Sequence, residues 1–78
     1  MGRVFMEKFY DKLAEILEVD SVEPQDDVSS FENWDSLGTL AILAMIDSTY
    51  NVRISSQEMK NVKKVKDLEN LVRSKMLN

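Results

Sequence analysis

Apolar side chains recur every three or four positions in three stretches of the chain. Residues 4–17 place Phe5, Phe9, Leu13, Ile16 and Leu17 on one face, with Glu7, Lys8, Asp11, Lys12 and Glu15 between them. That is the periodicity of an amphipathic helix. Leucine, alanine and glutamate favour the conformation. The like-charged pairs Glu7–Asp11 and Asp11–Glu15, four apart, weaken it slightly and leave packing to hold it. Residues 36–50 repeat the spacing through Leu37, Leu40, Ala41, Leu43, Ala44, Ile46 and Tyr50, behind Asp35 as a good N-cap. This segment is apolar nearly all round, with Asp47 its only charge. A helix of that kind is central to a core or keeps a face for a partner. Residues 64–76 carry Val65, Leu68, Leu71, Val72 and Met76 on one face, with no Ser, Thr or Asp cap to mark where the helix starts.

Between the first two helices, residues 18–34 read as a long loop. Pro24 blocks helix continuation, and Asp20, Ser21, Asp26, Asp27, Ser29, Ser30 and Asn33 are turn formers. Val19, Val22, Val28, Phe31 and Trp34 are spread through it, which predicts a loop pinned to the core; ordered loops of this length are often functional. After a short extended stretch over 50–54, Ser55 and Glu58 form the S-x-x-E capping box, predicting a short helix over 56–61. The expected fold is all-α: a small four-helix bundle with three longer helices, one short one, and a long loop between helices 1 and 2.

At 78 residues the chain is expected to form a single domain over 1–78 with one core. A domain this small buries only about 60% of its unfolded surface, which favours surface functions such as docking and carrying over a deep catalytic pocket. Cysteine and histidine are both absent. No disulfide or Cys/His metal site can form, and a nucleophile has no histidine beside it to act as base. Scattered carboxylates do not make an acid/base pair, and Asp26 and Asp27 lack the spacing of a calcium loop. The longest uninterrupted apolar run is Leu40 to Ile46, far below the roughly 20 residues of a membrane span. There is no signal-peptide pattern, and Met6 stands where a myristoylation site needs Ser or Thr. The expectation is a soluble, monomeric, cytoplasmic protein without membrane insertion.

Charge is unevenly laid out. Residues 21–50 sum to −6 with no Lys or Arg, and residues 51–78 sum to +4. An acidic middle repels nucleic acid and attracts basic partners, although a charge run is as often only a solvated loop.

One short motif carries candidate chemistry. In Trp34-Asp35-Ser36-Leu37-Gly38-Thr39-Leu40, Ser36 stands just inside a helix start, after the acidic loop. Free backbone N–H groups and the positive dipole end at such a start favour a phosphate group. The position suits a phospho-linked group and is poor for a general base. Taken alone, Asp-Ser-Leu is equally explained as capping.

With its surroundings, the motif resembles the attachment site of the acyl carrier protein family, and the resemblance covers nearly the whole chain. A helix, a long loop, an Asp-Ser-Leu helix start, a short third helix and a last helix follow in that family's order. Tyr50-Asn51-Val52-Arg53-Ile54 and Val62-Lys63-Lys64-Val65-Lys66-Asp67-Leu68 look like its connecting segments. The resemblance implies that a phosphopantetheinyl transferase, using Mg²⁺, moves 4'-phosphopantetheine from coenzyme A onto Ser36. The arm's thiol then carries an acyl or aminoacyl group as a thioester to partner biosynthetic enzymes, and the protein itself is not an enzyme. The chain supplies no thiol and no histidine base, so reactivity comes from the arm and the partners.

The chain departs from the family in three places. Many members display acidic residues on the second helix; here Gly38, Ala41, Ala44, Met45 and Ser48 occupy much of its expected outer face. Acidic recognition then falls on Glu32 and Asp35, with Asp26 and Asp27 behind them. Partner contact is expected at Glu32, Asp35, Leu37, Ala41 and Met45, although core packing is the simpler role for Ala41 and Met45. Gly38 breaks the first turn of a helix at a cost of up to about 1 kcal/mol relative to alanine. The Phe31-Glu32-Asn33-Trp34 approach is shorter than in fatty-acid carriers, and Trp34 is expected to cover the core beneath the loop. These departures point to a specialised acyl carrier. A peptidyl or aminoacyl carrier, and an unmodified helical interaction domain docking through its second helix, are the alternatives.

Overall fold

The computed structural model describes residues 2–76, with side chains from Lys8 onward. Four α-helices follow one another among the described residues: α1 (Gly2–Leu17), α2 (Ser36–Tyr50), α3 (Ser56–Lys60) and α4 (Val65–Met76). The all-α bundle expected from periodicity is the fold observed. The side chains of Phe5 and Glu7 lie outside those described. Asp11 and Glu15 are both exposed.

The core is the sum of the inward stripes. Phe9, Leu13 and Leu17 of α1, Ile42, Ile46 and Tyr50 of α2, Met59 of α3, and Val65, Leu68 and Val72 of α4 are buried together. Phe9 meets Tyr50 edge-on, with ring centroids 6.1 Å apart, the arrangement aromatic quadrupoles prefer. Two expectations fail at the margins. Met76 is 41% and Val19 37% exposed, so neither joins the buried core.

Local chemistry sets each helix boundary. α1 ends where Glu18 adopts a left-handed conformation (φ 59°). The Val19 amide then donates to Ala14 O and the Glu18 amide to Glu15 O, at 3.0 and 3.2 Å. This is a Schellman closure built on a non-glycine residue. α3 starts with the expected capping box. The Glu58 amide donates to Ser55 Oγ (3.1 Å) and the Ser55 amide to Glu58 Oε1 (2.9 Å). α4 starts without a capping Ser or Thr because Asp67, in its first turn, accepts from the amides of both Lys63 and Lys64 at 3.1 and 2.9 Å. The carboxylate satisfies donors that a helix start leaves free.

The long loop is stitched to the segment before α4. The Val28 amide donates to Lys63 O, the Val65 amide to Asp26 O and the Lys66 amide to Pro24 O. Lys64 pairs with Asp27 at 3.3 Å. Val22 and Val28 are buried beneath, and Phe31 and Trp34 pack against the core. Part of the acidic loop therefore faces the basic segment of its own chain rather than a partner.

Candidate functional site

The first turn of α2 is built from Asp35 backwards and forwards. Asp35 has extended backbone and caps the helix, its Oδ1 accepting from the Gly38 amide at 2.8 Å. The Thr39 amide and hydroxyl both bond to Asp35 O, each at 2.8 Å. Ser36 is the first helical residue and is exposed. Among the described residues no group hydrogen-bonds to its hydroxyl. The hydroxyl is thus free to be modified at the positive end of a 15-residue helix.

Gly38 has a steric reason that sequence alone did not supply. A Cβ built there falls 1.6 Å from the Asn33 carbonyl oxygen and 2.8 Å from its carbon. The loop backbone crosses directly over this turn, and only glycine leaves room for it. Asn33 Nδ2 also reaches Ile16 O over a long 3.5 Å bond. The approach to Ser36 is thereby held between α1 and α2.

The outer face of α2 is mostly apolar, with Asp47 and Ser48 toward its C-terminal end. Leu37 is 80% and Leu40 60% exposed, and Ala41, Ala44 and Ser48 are exposed with them. The core role considered for Ala41 is therefore corrected: a helical turn of 3.6 residues swings Ile42 and Ile46 inward and Ala41 outward. Met45 is half-buried and packs on the core, as its core reading expected. Glu32 is exposed. Asp35 is exposed too, although one of its oxygens is engaged in the cap.

Two grooves flank the start of α2. One, of about 310 Å³, is lined by Ile16, Asn33, Asp35, Leu37, Gly38 and Ala41. The other, of about 380 Å³, runs between α2 and α3 and includes Ser36 itself with Trp34, Leu40, Leu43, Met59 and Lys60. Trp34 both packs on the core and lines this second groove. Lys60 and Met59 were not singled out from sequence. The usable signal was the capping box, which fixes the phase of α3 and so which of its residues face α2.

A family model described as phosphopantetheine attachment site matches residues 7–72. No curated protein and no solved structure matches the chain.

Proposed function

The chain belongs to the phosphopantetheine attachment site family, and from that premise we propose that Ser36 is where it bears the arm. The family carries 4'-phosphopantetheine covalently, which makes this chain a phosphopantetheine-bearing carrier protein. Carrier domains of the family are generally non-catalytic. They interact in general with phosphopantetheinyl transferases and biosynthetic enzymes. Among the described residues no helix is long and apolar enough to cross a membrane.

The observation that carries the assignment is the unengaged, exposed hydroxyl of Ser36 at the start of α2, inside the matched span. A transferase bound there meets a hydroxyl with no competing partner. The Ser36 Oγ takes the phosphopantetheinyl group from coenzyme A, adenosine 3',5'-bisphosphate leaves, and the hydroxyl proton passes to the transferase. Afterwards the arm's negative phosphodiester stands at the α2 dipole. The arm supplies the thiol that forms the thioester; the chain supplies position and a surface to read.

In this reading residues 1–78 form one carrier domain, monomeric and cytoplasmic, that is not itself an enzyme. It presents acyl intermediates to the enzymes of a specialised pathway. Partners contact Leu37 and Ala41 on the apolar face of α2, with Met45 at its edge and Asp35 and Glu32 as the acidic rim. The acid-poor α2 supports a specialised carrier over one built for strongly basic partners. A peptidyl carrier has the same arm, and loading assays with acyl and aminoacyl donors separate the two.

Intact mass is the test. Incubation with coenzyme A, Mg²⁺ and a broad-specificity phosphopantetheinyl transferase should add one phosphopantetheine to the chain and none to Ser36→Ala. The substitution removes one exposed hydroxyl, so stability should change by no more than about 0.5 kcal/mol. Equal labelling of the Ser36→Ala protein overturns the assignment.

A further inference from the structure

We propose that Thr39 is a positioning residue for the transfer of phosphopantetheine: its hydroxyl holds the two peptide carbonyls that flank Ser36 and so sets the direction in which Ser36 is presented. This inference rests on the attachment at Ser36. Thr39 is half-buried. From Ser36 to Ile46 the only polar side chains are those of Ser36 and Thr39. The Thr39 Oγ1 lies 2.8 Å from Asp35 O and 3.2 Å from Ser36 O. One hydroxyl proton is thus shared between the carbonyls four and three residues back, a geometry open to threonine in a helix. Asp35 O also accepts from the Thr39 amide at 2.8 Å.

Helix stability does not account for this hydroxyl. Threonine is among the weaker helix formers, and bonding back to a carbonyl four residues earlier slightly destabilises a helix. What the hydroxyl reaches is the backbone on either side of the Ser36 Cα. The Asp35 carbonyl belongs to the peptide plane entering Ser36, and the Ser36 carbonyl to the plane leaving it. Peptide units are rigid, so holding both planes sets the two soft dihedrals of Ser36 and with them the direction of its Cα–Cβ bond. Among the described residues no group hydrogen-bonds to Ser36 Oγ, so the backbone alone aims it. The Asp35 carboxylate holds the same turn farther along, at the Gly38 amide, whereas Thr39 holds it at Ser36 itself. Misplacing a reacting atom by about 1 Å can cost on the order of 100-fold in rate. Slack at these carbonyls is therefore felt when Ser36 Oγ attacks, and not in how the apolar face of α2 is recognised.

Thr39→Val removes the hydroxyl and keeps the branched shape, while Thr39→Ser keeps the hydroxyl. In the apo protein the carbonyl-carbon resonances of Asp35 and Ser36 should move in Thr39→Val and stay near wild type in Thr39→Ser. Initial rates of transfer are then measured with coenzyme A, Mg²⁺ and a broad-specificity transferase, varying the carrier. Thr39→Val should lose about tenfold in kcat with KM within about twofold of wild type, and Thr39→Ser should recover most of the kcat. Lys66→Gly weakens an exposed position of α4 by helix propensity alone and should keep the wild-type kcat. A Thr39→Val kcat within about twofold of wild type, a loss confined to KM, an equal loss in Thr39→Ser, or a comparable loss in Lys66→Gly overturns the positioning role and leaves the attachment intact. Unmoved Asp35 and Ser36 carbonyl resonances in Thr39→Val overturn it as well. Failure of wild type to gain mass with two unrelated transferases overturns the attachment, and the positioning role with it.

Discussion

Replacing Gly38 by alanine sets two effects against each other. Helix propensity alone makes Gly38→Ala stabilising by about 1 kcal/mol, because glycine loses more backbone freedom on entering a helix. Packing opposes this. The new Cβ falls 1.6 Å from Asn33 O, and real Cβ contacts are essentially never closer than 3.0 Å, so the two backbones must part by more than an ångström. The obstacle is a carbonyl group, which cannot rotate away like the end of a side chain. Overpacking of this kind costs about 1–3 kcal/mol. Displacing the Asn33–Asp35 segment also strains the cap on Gly38 N, and losing a cap costs about 0.5–2 kcal/mol. The sum predicts a net destabilisation of about 0.5–4 kcal/mol. Urea unfolding, followed by Trp34 fluorescence and far-ultraviolet dichroism, measures it. Ala44→Gly, at an exposed position of the same helix, is the control and should lose about 1 kcal/mol by propensity alone. Phosphopantetheine transfer to Gly38→Ala should also slow, since the displaced segment carries Asp35 next to Ser36. A Gly38→Ala protein as stable as wild type, or more so, refutes the reasoning.

Two further predictions follow from the same geometry. Asp35→Asn keeps a capping side chain and removes a charge, so it should leave stability nearly unchanged, while Asp35→Ala should lose about 0.5–2 kcal/mol; equal urea midpoints for the two variants contradict the capping role. Glu58 is held below the usual carboxylate range by the Ser55 amide first and Lys75 next, and Asp67 by the amides of Lys64 and then Lys63. Both folded values are depressed, so their contribution is complete above the unfolded carboxylate range of about pH 4 and is lost as pH falls through the folded values. Urea midpoints should therefore decline in acid, and a Glu58→Gln/Asp67→Asn double variant should decline less; an acid slope identical to wild type excludes these two groups.

What could be read from the sequence depended on whether the deciding contact was local. The α2 boundaries, Asp35 as its cap and the Ser55–Glu58 box rest on residues within a turn of one another, and periodicity with capping chemistry places them. The start of α4 was ambiguous because its capping group, Asp67, lies inside the helix rather than before it. Gly38 was unexplained because its neighbour is a loop carbonyl brought over by tertiary folding. The outward turn of Leu37, Leu40 and Ala41 was hidden for a different reason. A helix apolar on every side has no polar stripe to announce which face meets water, so only the position of α1 and α4 decides it.

In the proposed reading the same segment carries two roles with separate physical bases. The acidic loop was a candidate partner surface as a block, yet Asp27 is turned to Lys64, Asp26 O to the Val65 amide, and Asp26 Oδ2 to the Glu23 amide. Those contacts hold the loop down. Loop residues kept for structure cannot be freely offered to a partner, which leaves Glu32 and the outer oxygen of Asp35 as the acidic groups beside Ser36 in the chain. In the proposed reading an enzyme approaching Ser36 would meet Leu37, Leu40, Ala41 and Ala44 as the broad part of the surface, with charge at its rim and at Asp47 farther along α2. Rim charges steer encounter and weaken with salt, whereas apolar area buried at the centre holds the complex once formed. The proposed partner surface is then selective mainly through shape and apolar fit, with the acidic rim setting how quickly Ser36 is found.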